Sequence, residues 1–144
     1  MQPEGMVHAL EIAHHLLKPG GVLVDIHPLG EPPAIKVCLH EQTTQAGWLQ
    51  ESDDFIEYPQ ATDAIDRAIS NGWFALDKQR EFKFITHANT LEELHEFLRT
   101  NWKDAILPED AAIRVQELLK GFGTGSEVVL EERVGVKALL ALSS

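Results

Sequence analysis

Apolar positions along this chain recur at two spacings, and the switch between them predicts the elements. Met6, Ala9, Leu10, Ala13, Leu16 and Leu17 fall on one helical stripe, with His8, Glu11 and His15 opposite, so a helix is predicted over 6–17. Pro19-Gly20-Gly21 ends it, since proline disfavours the helix and glycine supplies the turn. Val22-Leu23-Val24-Asp25-Ile26 follows, short, β-branched and apolar on both faces, which predicts a strand buried on both sides. Pro28, Pro32 and Pro33 make its exit rigid and non-helical. Ile35, Val37 and Leu39 then alternate with Lys36, Cys38 and His40, the mark of a half-buried strand. A turn and a short partner around Trp48-Leu49 would pair with it, and residues 53–58 read as a loop.

Further along, Ala61, Ala64, Ile65, Ala68 and Ile69 mark a second helix, closed by Asn71-Gly72. Residues 73–86 read as strand, most clearly at Phe82-Lys83-Phe84-Ile85. Thr90-Leu91-Glu92-Glu93 matches a capping box, in which threonine and glutamate satisfy free backbone donors. The helix it opens carries Leu91, Leu94, Leu98 and Trp102 on one side. Pro108 suits the first turn of another helix, with Glu109 and Asp110 favourable at its positive end, running to about Lys120. Val128-Val129-Leu130 and residues 134–142 close the chain as two strands or one long bent one. With no Gly/Ser-rich linker and no internal repeat, a single domain over 1–144 is expected. Its fold class is expected to be α/β or α+β, with about four helices and a mixed or mostly antiparallel sheet.

Composition narrows the partners. Hydrophobic residues make up 44% and charged ones 24% of the 144 residues, the balance of an ordinary globular chain with enough apolar material for a core. Acidic residues outnumber basic ones 23 to 12, a formal charge of -11, and Lys and Arg are scattered singly. That balance repels nucleic acid and anionic membrane surfaces. No apolar run reaches membrane-spanning length. Residues 1–5 lack the basic-then-apolar order of a signal peptide. The lone Cys38 cannot form an internal disulfide and suits a reducing compartment, so a cytoplasmic location is expected.

The stretch ALEIAHHLLKPGGVLVDIHP, from Ala9 to Pro28, resembles the fourth-helix-to-fifth-strand segment of class I S-adenosylmethionine-dependent methyltransferases. The resemblance extends over the chain in order of elements but over only about twenty residues in motif. It implies a methyltransferase-like C-terminal half. In that family the cofactor lies on a glycine-rich turn at the first strand, and an acidic residue at the end of the second strand holds the ribose. Only Met1 to Gly5 precede the helix here, so the chain alone is expected to bind no S-adenosylmethionine and to methylate nothing. The cofactor would enter only with a partner supplying the missing half. Gly121-Phe122-Gly123-Thr124-Gly125 spells G-x-G-x-G, but a nucleotide-binding turn needs a strand before it and a helix after it. The predicted order is the reverse, which makes this run a helix C-cap and turn.

Asp25 and His27 are the residues most suited to chemistry. Two apart on a strand, they point to one face at its C-terminal end, where open α/β sheets place ligands. A carboxylate beside an imidazole can act as general base or bind metal, and equally can be a hydrogen-bonded structural pair. His87, after a strand, is a further ligand-binding candidate on the surface that carries His27. His14 and His15 diverge by about 100° on a helix and cannot easily share a metal. No zinc spacing occurs, so no metal is expected. Ser52, Ser70 and Ser126 lack a nucleophile-elbow context. Trp73, Phe74, Phe82 and Phe84 suit a core or an interface rather than base stacking, given the charge.

Three readings follow. The first is a methyltransferase-like binding or assembly module, non-catalytic alone and self-associating as a homodimer, because a sheet without half its strands leaves a raw edge. The second is one half of a split methyltransferase acting on a small molecule, with a partner chain carrying the cofactor. The third is a small-ligand enzyme using Asp25 and His27.

Overall fold

A computed structural model, which describes residues 2–52 and 55–143, contains four helices and seven strands among those residues. Every strand pair with a defined register is antiparallel. The fold is thus α/β in composition, with antiparallel pairing. The chain divides into two units, one comprising residues up to Gly30, Ile56–Phe82 and the chain from Val134, the other Glu31–Phe55 and Lys83–Arg133.

In the first unit, α1 spans Pro3–Leu16, opening on a proline in its first turn where no donor is lost. The turn after it depends on Gly20, whose φ of +83 is readily adopted only without a side chain. Its amide donates to the carbonyl of Ala141 at 2.8 Å, fixing the turn to the last strand. β1 (Val22–Pro28) then pairs with the second half of β7 (Glu127–Ala141), from Val22 opposite Leu140 to Pro28 opposite Val134. α2 (Glu57–Ser70) packs on α1, and β5 (Phe74–Ala88) begins in this unit. Ile65, Ala68, Phe74, Leu139 and Ala141 are its buried core, surrounded by Leu10, Ala13, Leu17 and Leu23.

Three expectations are corrected here. Leu16 does not join the buried stripe of α1, being 81% exposed, while His14 is buried. The histidine goes inward because a carbonyl is there to receive it: its Nε2 is 2.8 Å from the oxygen of Leu142, and its ring meets Phe74 edge-on. β1 is not buried on both sides. Leu23, Asp25 and His27 face inward, but Val22, Val24 and Ile26 are 53, 55 and 61% exposed. Helices cover one face of the strand only, and β7 is its one strand neighbour among the described residues. The expected loop over 53–58 is shorter than predicted, since Glu57 and Tyr58 already belong to α2; Asp53 and Asp54 lie outside the described residues.

In the second unit, β2 (Ala34–Leu39) and β3 (Gln42–Trp48) form a hairpin, and β2 also pairs with Glu127–Glu131 of β7. The partner strand is longer and earlier than its apolar pattern suggested, because Gln42 to Gln45 are polar residues on a mostly exposed strand. Ile35, Val37, Val128 and Leu130 turn one face toward α3 (Leu91–Asn101) and α4 (Glu109–Phe122), meeting Leu94, Leu98, Ala111 and Val115. The threonine half of the capping box forms as expected, Thr90 Oγ accepting from the Glu93 amide at 3.1 Å, while the Glu93 carboxylate reaches one residue further back and accepts from the Asn89 amide at 2.8 Å. β4 (Gln50–Glu51) and β6 (Ala105–Ile106) add a short ladder. The closing segment is one continuous strand, β7. Among the described residues no helix is long and apolar enough to cross a membrane.

Candidate functional site

Asp25 and His27 do come together. Alternation along β1 places both on the inward face, and Asp25 Oδ2 lies 2.7 Å from His27 Nδ1. The approach falls outside a straight hydrogen bond, yet both atoms are buried and neither has another partner, so the contact is an ion-pair or dipolar one. The side chains are 20% and 12% exposed, enough shelter for the contact to matter.

α2 supplies the third member. Thr62 Oγ1 is 3.0 Å from His27 Nε2, and the same hydroxyl lies 3.4 Å from the carbonyl of Tyr58 one turn earlier. The threonine hydroxyl carries one proton, and the Tyr58 carbonyl and His27 Nε2 both lie within its reach. The order is carboxylate, imidazole, hydroxyl. Across the ladder, Gly135 pairs with His27, and a Cβ there would approach Leu29 Cδ2 to 2.8 Å, so glycine leaves room for the Leu29 side chain. Thr62 and Gly135 were not singled out in the sequence. The alanines of α2 were, as helix markers, and Ala64 and Ala68 are buried.

Asp25 also lines a cavity of about 320 Å³ between α1, α2 and β1, whose other walls are apolar. Thr62 does not line it, although its neighbour Ala61 does. The open space is therefore at the carboxylate end of the series and not at the hydroxyl end.

The remaining histidine candidate has a different setting. His87 lies within β5 rather than after a strand, in the second unit, where its Nδ1 is 3.1 Å from Glu127 Oε1 on an exposed surface. The structure therefore assigns His87 its own partner. Nearby in that unit, Glu131 accepts from Lys36 at 2.9 Å and pairs with Lys83 at 3.0 Å. These two ammonium groups, Lys36 first, hold its carboxyl below the usual range. Burial pushes the neighbouring Glu132 carboxyl the other way, up. Among the described residues no group of three or more His, Cys, Asp or Glu could hold a metal ion.

The G-x-G-x-G run has a helix before it and a strand after it. Gly123 caps α4 with φ +80, and its amide returns to Leu119. Ser126 Oγ donates to the Gly123 carbonyl at 2.7 Å, closing the turn internally. Phe74 is buried, whereas Phe82 and Phe84 are exposed.

The chain gives no significant match to any protein-family model, curated protein or solved structure.

Proposed function

We propose that this chain is a methyltransferase-like binding or assembly module, non-catalytic alone, that associates as a homodimer through β1. The observation that carries the reading is the outer side of β1, where Val22, Val24 and Ile26 are more than half exposed on a strand with one neighbour among the described residues. Sheet edges invite pairing unless something discourages it. The middle of β5 is discouraged, its exposed run Asp77-Lys78-Gln79-Arg80-Glu81 being mostly charged, while Phe82 and Phe84 follow it exposed. β1 has no such guard, because its only ionisable side chains, Asp25 and His27, point inward. A two-fold axis near Val24 would set Val24 against its own copy and Val22 against Ile26, joining three apolar positions from each chain.

The methyltransferase resemblance is supported by α1, the Leu17-Lys18-Pro19-Gly20-Gly21 turn and β1 in that order, with an antiparallel closing strand beside β1. S-adenosylmethionine belongs to this reading only when another chain contributes the glycine turn. The same open edge would accept that chain, which is the split-enzyme alternative.

Light scattering across micromolar concentrations tests the assembly. A dimer that the double substitution Val24→Lys, Ile26→Lys converts to a folded monomer supports it. A wild-type chain that stays at 16.1 kDa throughout sinks it. Calorimetry with S-adenosylmethionine is the second arm: no heat is expected, and micromolar binding by the chain alone would overturn the non-catalytic assignment.

A further inference from the structure

The inward face of β1 holds a different feature from the outer one. The cavity of about 320 Å³ is walled by Met6 and Leu10 of α1, Ala61 and Ile65 of α2, and Leu23 of β1, with Asp25 as the one charged group. A carboxylate against carbon loses hydration and is tolerated where something replaces the water. His27 replaces part of it, from one side. The other residues that line the cavity are all apolar, so on that side the carboxylate has no polar neighbour. Lys137 stands opposite Asp25 in register on β7, yet no ion pair joins the two among the described residues.

We infer that this cavity binds a small amphiphile with an ammonium head and an apolar body. The head meets the Asp25 carboxylate, supplying the donors and the charge that the walls lack. The body covers Leu10, Ala61 and Ile65 and displaces water from them. Anions are refused, by Asp25 locally and by the net charge of -11 at longer range. The volume lies near the lower end of ligand pockets, so the ligand is compact. His27 and Thr62 act as positioning residues, fixing the carboxylate through the contacts of 2.7 and 3.0 Å. This site lies on the face of β1 opposite Val22, Val24 and Ile26 and is independent of the assembly reading.

Three probes of one shape separate the recognition chemistries: benzylammonium, benzyl alcohol and benzoate, each titrated into the 15N-labelled chain and followed by amide chemical shifts. Benzylammonium should shift Leu10, Ala13, Leu23 and Ala61 saturably, in the millimolar range of a fragment. Benzyl alcohol should bind about tenfold more weakly and benzoate not at all. Asp25→Asn should reduce the ammonium to the level of the alcohol. Thr62→Val should weaken the ammonium severalfold and leave the alcohol unchanged, a split that a merely structural threonine would not produce. Ala9 lines the cavity from an exposed position, so Ala9→Trp should block all binding while the chain stays folded, which keeps the test decisive if Asp25→Asn does not fold. Saturable binding of benzoate at comparable affinity, unchanged binding to Asp25→Asn, unchanged binding to Ala9→Trp, or no saturable binding of benzylammonium would each overturn the inference.

Discussion

The two units treat the helix-free sides of their strands in opposite ways. In the first, β1 turns Val22, Val24 and Ile26 outward, and all three are exposed. In the second, Ile35 and Val37 face the helices, so alternation turns Lys36 the other way, and there it meets Glu131, which also holds Lys83. Arg133 pairs with Glu31 in the same unit. One surface is made mainly of charged groups, with the exposed ring of Trp48 beside them. The other is made of groups that gain when covered, at about 25 cal/mol per Å² of apolar area removed from water. Exposed apolar side chains scattered singly need no explanation, but three in alternate positions on an open strand edge form a pattern.

The largest expected effect comes from erasing this difference in the first unit. Val24→Lys with Ile26→Lys should raise the dimer dissociation constant at least about a hundredfold, roughly 3 kcal/mol, because each substitution acts twice across a two-fold axis. The melting temperature of the monomer should change little. Sedimentation equilibrium on both proteins reads the first quantity and calorimetry the second. A variant that remains dimeric would place the interface elsewhere.

A smaller effect is expected from disturbing the second unit. Glu131→Gln removes the shared partner of Lys36 and Lys83 and should cost about 1 kcal/mol at neutral pH, since one ammonium is largely exposed and water screens the pair. Urea unfolding gives that value, and the oligomeric state should not change.

The same carboxylate predicts a pH dependence. Glu131 titrates below its ordinary range in the folded chain, so its contribution is present above the unfolded value and is lost as pH falls through the folded one. Glu132 runs oppositely. Its carboxyl is raised by burial, so the folded state is favoured at acid pH and that advantage disappears as pH rises through the folded value. Glu131→Gln should therefore destabilise at pH 7 and match the parent in acid, while Glu132→Gln should stabilise at pH 7 and lose its advantage in acid. Denaturation at a series of pH values checks both signs, and equal behaviour of the two variants would refute the assignment.

Salt should produce the smallest change. Raising ionic strength screens the ion pairs of the second unit, a loss of a few tenths of a kcal/mol, while leaving the apolar association intact or strengthened because the acidic chains repel less. Dissociation of the dimer by salt would contradict an apolar interface.

Much of this architecture was legible in the amino acids. Thr90 and Glu93 announced α3 because a cap is a local bargain between neighbouring residues and their own backbone. Gly20 and Gly72 marked ends of elements, since positive φ is a property of the residue itself. Asp25 and His27 were legible as a pair because alternation along a strand needs no knowledge of the rest of the fold. Thr62 was not, being 35 residues from His27 in sequence and related to it only by the packing of α2 on β1. β3 was placed too late and too short for a related reason: its ladder is held by backbone groups, which the polar side chains of Gln42 to Gln45 do not report.

What the sequence determined by itself was therefore periodic and local: the helices, the turns, the strand character of β1 and the face shared by Asp25 and His27. Tertiary structure decided which of those faces were covered. An apolar run such as Val22-Leu23-Val24 states that its side chains prefer to leave water, but not which of them succeed, because burial belongs to pairs of surfaces and not to single segments. Here α1 and α2 reached one side of β1, leaving the carboxylate of Asp25 at the wall of a small, open apolar cavity, and the other side remained uncovered.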